Sequence, residues 1–268
     1  MKNIMGTLED LEFKISRADA FFHAIEKKAN KTNTDTVLFS LWNEVIQLAS
    51  EIAYLYKAER CIGDIALARE MFEIVLYYNY IMKDNSDFRA KCYMYYTYIA
   101  ELKAARFLKE GTSEYNELIS INPSLSFFKD ADEDICKHIS EIEVIINSAQ
   151  YDEVRSANKN NKNKKWYSIS SGINNIRELS REVNMEAQYL ILYDYYCNQT
   201  HGMRTIRNSF DKNKSSDRHA GCSAMITNSI IAFIKYYSNK IDIKQEVKEE
   251  PADSGFFDRI ERDVARKM

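Results

Sequence analysis

Glycine and proline are scarce in this chain of 268 residues, with 7 Gly and 2 Pro. Turn-dense β architectures use both residue types heavily, so the shortage disfavours them and leaves long stretches in which helices propagate. Cysteine is thinly scattered: Cys61, Cys92, Cys136, Cys197 and Cys222 are odd in number and never spaced as Cys-x2-Cys. That pattern argues against a disulfide framework and a structural zinc site, and fits free thiols in a reducing compartment. No apolar run approaches the ~20 residues of a spanning helix; the most apolar windows, 72–82 and 229–237, are interrupted by Asn or Lys. After Met1 the chain passes directly into an acidic amphipathic segment at 8–13, with no apolar leader. The expectation is a cytoplasmic protein with no membrane segment, no metal and no cofactor. Nor does any glycine-rich phosphate loop, zinc ligand set or nucleophile motif of recognised spacing occur.

What is present is a helical pattern. Hydrophobic residues make up 45% of the chain, enough for a sizeable core in one large domain or one domain with an appendage. Leu8, Leu11, Ile15, Ala18 and Phe22 recur at steps of three or four, and Leu41, Val45, Leu48, Ile52 and Leu55 make a second stripe after the capping residues 33–36. Further helices are predicted at 65–82, at 87–109 closed by Gly111, and at 131–157 with Ile135, Ile139, Ile142, Ile145 and Ile146 inward. After the Asn/Lys-rich tract 158–165, helices are predicted at 170–182, 185–201 and 220–239, the last preceded by a polar loop at 208–218. The fold class is therefore all-α, a bundle of about eight helices in one domain at 1–240. A charged linker and a short amphipathic helix occupy 241–268. There Phe256, Phe257, Ile260 and Val264 form a stripe suited either to docking on a protein partner or to folding back on the body.

Two constellations carry the polar chemistry. Arg69, Glu73 and Tyr77 lie four apart on one face of the third helix, among apolar neighbours. Arg preceding Glu is the weaker order for helix stability, which suggests a tertiary role. Tyr189, Tyr193, Cys197 and His201 make a second i, i+4 ladder, and His201 has the ring to exchange a proton near neutral pH. Beyond it come Arg204, Arg207, Lys212, Lys214 and Arg218, candidate contacts for phosphate or nucleic acid. From 155 to 218 there are twelve Lys or Arg against six Asp or Glu, a local balance of +6 in a chain whose overall charge is −3. The same features also fit a structural ion pair and a solvated basic loop. The 18 tyrosines, dense in the third and fourth helices, fit base stacking or an amphipathic core and interface.

Taken in order, Arg69-x3-Glu73, Arg89-x3-Tyr93, Trp166-Tyr167-Ser168 and Tyr189-x3-Tyr193-x3-Cys197-x3-His201 resemble a bacterial helical family known only as a domain of unknown function, over roughly 62–239. Members usually carry Ser where this chain has Cys197. The family looks similar to the HEPN group, helical bundles that often act as dimeric, metal-independent ribonucleases or toxins in defence against phage. In that group an Arg precedes a His by a short spacing on one helix. His201 has no such Arg before it, so the resemblance implies that Arg69 or Arg204 joins it from elsewhere. Two expectations follow. In one, Arg69, Glu73, Tyr193 and His201 line a catalytic cleft acting on RNA, in a homodimer. In the other they form a buried network fixing helix register, and the chain works by binding a protein partner through its bundle and C-terminal helix.

Overall fold

The computed structural model describes residues 8–58, 63–124, 132–159, 161, 165–193, 214–238 and 240, with 132 and 214–220 as backbone alone. In chain order the regular elements are α1 (Leu8–Lys28), α2 (Asn33–Lys57), α3 (Asp64–Lys83), α4 (Ser86–Leu108), α5 (Ser113–Ile121) and α6 (Asp132–Asn147). A 3-10 turn (Ala149–Tyr151) leads to α7 (Asp152–Asn158), α8 (Trp166–Ser171), α9 (Ile176–Glu182) and α10 (Glu186–Gln188). A π-helical turn (Tyr189–Tyr193) follows, and α11 (Lys214–Tyr237) ends the series. Among the described residues there is no strand, and the fold is all-α. No helix among them is long and apolar enough to cross a membrane.

The chain divides into two compact units, one formed by 1–85 with 175–268 and the other by 86–174. The predicted domain at 1–240 takes in the second unit and the first as far as residue 240. The appended helix with Phe256, Phe257, Ile260 and Val264 lies outside the described residues.

In the first unit α2 packs on α1 and α3, and α11 closes the bundle against α1, α3 and α2. The apolar stripes do what their spacing predicts: Leu11, Ala18 and Phe22 of α1 and Leu41, Val45, Leu48 and Ile52 of α2 are buried. At the centre the Trp42 ring is fully enclosed, meeting Phe21 at 5.5 Å, Phe22 at 5.8 Å and Phe233 of α11 at 4.0 Å. Truncating a core aromatic of this kind to alanine typically costs about 3–5 kcal/mol. Polar anchors fix the register around it. Thr32 caps α2 in a capping box: its hydroxyl accepts from the Asp35 backbone N–H at 3.2 Å, and Asp35 Oδ2 accepts from the Thr32 N–H at 3.0 Å. The other Asp35 oxygen accepts from the Tyr237 hydroxyl at 2.8 Å, linking the start of α2 to the last turn of α11 across 202 residues. Burial, and then that carboxylate, raise the Tyr237 phenol well above its ordinary range.

In the second unit α4 is the central element, touching α5, α6, α7 and α8. Its tyrosines pack inside the unit, Tyr95 against Tyr151 at 5.5 Å and Tyr93 edge-on to Trp166 at 5.2 Å. Here several predicted boundaries are corrected. The long helix expected at 131–157 breaks at Ser148, whose ψ of 155° is extended and whose hydroxyl donates to the Ile145 carbonyl at 2.6 Å. Arg155 reaches back to close the break, donating to the Ile146 carbonyl and, at 3.0 Å, to that of Ser148. These are carbonyls that the end of α6 leaves without intrahelical partners. The helix expected at 170–182 is two helices. Gly172, at φ +72°, terminates α8, and Asn175 restarts the chain by accepting the Glu178 backbone N–H at 2.9 Å. A helix not predicted, α5, begins after Gly111 at φ +89°, with Thr112 as its N-cap and Tyr115 buried. Lastly, α11 starts at Lys214, inside the stretch read as a polar loop.

Candidate functional site

The first unit brings together two of the motifs. Arg69 and Glu73 stand one turn apart on α3, their side chains 32% and 25% exposed, with Arg69 Nε and Glu73 Oε1 at 3.4 Å. Tyr193, at the end of the π-helical turn, inserts its hydroxyl between them: it donates to Glu73 Oε1 at 2.7 Å and accepts from Arg69 Nη2 at 3.2 Å. Tyr77, the next turn of α3, donates to the other carboxylate oxygen at 3.2 Å. Both carboxylate oxygens thus accept a tyrosine hydroxyl, while Arg69 Nε meets Glu73 as an ion pair without a hydrogen bond; bonds to an ionised partner are the stronger class.

Packing holds the set in place. The Arg69 guanidinium lies 5.2 Å from the centre of the Tyr193 ring, a cation–π arrangement. The Tyr193 ring also meets Phe72 at 5.8 Å and Tyr189, stacked at 5.2 Å. The i, i+4 spacing of Tyr189 and Tyr193 was legible as an α-helical stripe. The chain instead widens there into a π turn, a local form often found at functional sites. The network is therefore half-buried and faces solvent, not sealed in the core.

A family model described as a family of unknown function (DUF5677) matches residues 35–219. The chain belongs to that family. The DUF5677 match starts earlier and ends earlier than the expected 62–239, beginning at Asp35 in the first turn of α2 and taking in α3 and the Tyr189–Tyr193 turn. No curated protein and no solved structure matches the chain.

Of the other predicted site residues, His201, Arg204, Arg207 and Lys212 lie outside the described residues, as does Cys197. Lys214 and Arg218 fall in the first turns of α11, described as backbone alone. The short Arg-to-His spacing sought before His201 occurs instead on α1, as Arg17-x5-His23. The two are six residues apart, about 240° round an α-helix, so they do not share a face. Arg17 is buried, its guanidinium 5.3 Å from the Phe13 ring centre, whereas His23 is exposed beside Asp19 and Glu26. That pair forms no site. Among the described residues no group of three His, Cys, Asp or Glu is placed to hold a metal ion.

Past the α9 end of this unit runs a groove of about 600 Å³, bounded by α3, residues 183–188 and α11. It was not foreseen from the sequence. Its walls come from three separate segments, and no short motif marks it.

Proposed function

We propose that this DUF5677 protein acts on RNA, binding the phosphodiester backbone at Arg69 and cleaving it without a metal ion, with His201 as the proton-transfer group. The observation that carries this reading is the convergence of Tyr193 with Arg69 and Glu73, 124 and 120 residues before it in sequence, in one polar set open to solvent. Glu73 and Tyr193 orient the guanidinium, and an oriented Arg stabilises developing charge on a phosphoryl group better than a mobile one. The chain leaving Tyr193 carries His201 eight residues on, then Arg204, Arg207, Lys212, Lys214 and Arg218, which supply the positive field RNA requires. In the reaction the ribose 2′-oxygen bonds to phosphorus, and His201 takes the 2′-hydroxyl proton. The bond from phosphorus to the 5′-oxygen breaks, and that oxygen is protonated from water. The likeness to the HEPN group supports the same reaction class.

The test is degradation of a mixed RNA panel by purified wild-type and His201→Ala protein, with and without EDTA. Cleavage that persists in EDTA and is lost in the variant supports the reading.

One observation favours a second reading. Both oxygens of Glu73 are engaged by Tyr77, Tyr193 and Arg69, as in a network whose work is to hold α3 against the Tyr189–Tyr193 turn. On that reading the chain is a helical binding module for a protein partner, with Phe256, Phe257, Ile260 and Val264 in the docking helix. Absence of cleavage by folded wild-type protein selects it, and deleting 256–268 then abolishes partner capture.

A further inference from the structure

The groove of about 600 Å³ in the first unit has a chemical pattern of its own. Its α11 wall presents Asn228, Ile231, Ala232 and Lys235, an i, i+3, i+4, i+7 stripe in which an amide and an ammonium flank an apolar step. Seven residues of helix rise about 10 Å. Facing this stripe are Asn79 and Met185, in contact at 4.0 Å, and Gln188. Lys83 lies at the rim, its ammonium held by the Glu182 carboxylate at 2.7 Å. No carboxylate is among the lining residues, and with the Lys83 ammonium paired to Glu182 the positive bias of the walls rests on Lys235. Among the described residues, the side chains of Gln188, Asn228 and Lys235 make no hydrogen bond or ion pair. Their polar capacity is turned to the groove and its solvent.

We propose that this groove binds a nucleoside monophosphate. Amide side chains at Asn228 and Gln188 match the paired donor and acceptor on the edge of a nucleobase. Ile231, Ala232 and Met185 offer an apolar bed for the ring, and Lys235 meets the phosphate two turns along α11. The spacing of amide and ammonium suits the span from base edge to 5′-phosphate of a single nucleotide, and the volume lies within the usual range for small-ligand sites. The groove shares no residue with the Arg69–Glu73–Tyr193 set, although Gln188 directly precedes Tyr189. The assignment therefore stands whether or not the chain cleaves RNA.

The experiment is calorimetric titration of the full chain with AMP, GMP, CMP and UMP in turn, with ribose 5-phosphate and inorganic phosphate as probes lacking a base. At least one of the four is expected to bind saturably with a Kd below about 1 mM. Lys235→Glu is expected to weaken that binding at least about tenfold by reversing the charge opposite the phosphate. Asn228→Asp is expected to change the order of preference among the bases. Both positions are exposed on α11, and circular dichroism checks that the variants keep their helices. His201→Ala is expected to bind as wild type does, which separates the groove from the cleavage reaction. No saturable binding by any of the four overturns the proposal, as does equal binding by the Lys235→Glu variant. Ribose 5-phosphate binding as tightly as the best nucleotide also overturns it, because the amides would then read nothing.

Discussion

Replacing Tyr193 by phenylalanine removes one oxygen and leaves the ring in place, which makes it the sharpest probe of the polar set. The lost hydroxyl donates to Glu73 at 2.7 Å and accepts from Arg69 at 3.2 Å. Hydrogen bonds to charged groups contribute roughly 1.5–3 kcal/mol when shielded. Here the Arg69 and Glu73 side chains are 32% and 25% exposed, so water replaces part of what is lost, and the direct Arg69–Glu73 contact at 3.4 Å survives. The ring keeps its stacking on Tyr189 and its place under the guanidinium. The net cost is therefore about 1–1.5 kcal/mol. Urea unfolding followed by tryptophan fluorescence measures it, with Trp42 reporting on the first unit and Trp166 on the second. A companion series with Glu73→Gln and the double variant tests coupling, expected at about 1 kcal/mol because the two groups share one bond. Tyr193→Phe within about 0.3 kcal/mol of wild type, or an undiminished cost in the Glu73→Gln background, would refute the claim that these residues act as a unit.

Three further outcomes are expected. The Tyr237 phenol is raised by burial and by Asp35, and the Tyr78 phenol is raised by burial, each from an ordinary value of 10.0. A folded pKa above the unfolded one means this stability is fully present below pH 10 and lost as pH rises further. Tyr237→Phe should cost about 1.5–3 kcal/mol at neutral pH and make the alkaline loss shallower in denaturation series; an unchanged pH profile would count against it. Asn184 sits at φ +58° just past α9, where the Met185 N–H meets the Ser180 carbonyl at 2.7 Å and the Asn184 N–H meets that of Arg181 at 3.0 Å. Asn184→Gly should raise stability by about 0.5–1 kcal/mol, since glycine adopts this backbone without penalty; a lower melting temperature would contradict it. Burial, and then the Glu153 carboxylate, push the Cys92 thiol up to about 12 against an opposing effect of Arg89. Iodoacetamide at pH 8 should label the half-buried Cys136 well before Cys92, and peptide mapping showing equal rates would overturn that reasoning.

The long helices were legible because their signals are local. The stripes in α1 and α2 and the 64–83 helix follow from periodicity, whereas the cap of α2, expected within 33–36, lies one residue earlier at Thr32. The short elements of the second unit were misread both where no glycine or proline marked a break and where one did. Ser148 interrupts an isoleucine stripe that periodicity alone continues, because the restart is stabilised by Arg155 folding back from seven residues away. Gly172 was a visible stop, yet the apolar pattern on both sides of it reads as one helix.

At the site, sequence identified Arg69, Glu73, Tyr77 and Tyr193 as residues with helical spacing and polar chemistry. It left open whether the first three ever meet the fourth. That meeting depends on a π turn, which shifts the register of Tyr193 by an amount no i, i+4 count contains, and on the packing of 189–193 against α3. The Tyr237–Asp35 bond and the groove beside α11 have the same origin, since their partners are remote in sequence and only chain folding sets their distance. Composition and periodicity by themselves determined that this chain is helical, because backbone hydrogen bonding and apolar stripes are settled within a few turns. Which polar groups remote in sequence share a bond, as Tyr193 does with Glu73 and Tyr237 with Asp35, was decided by tertiary packing alone.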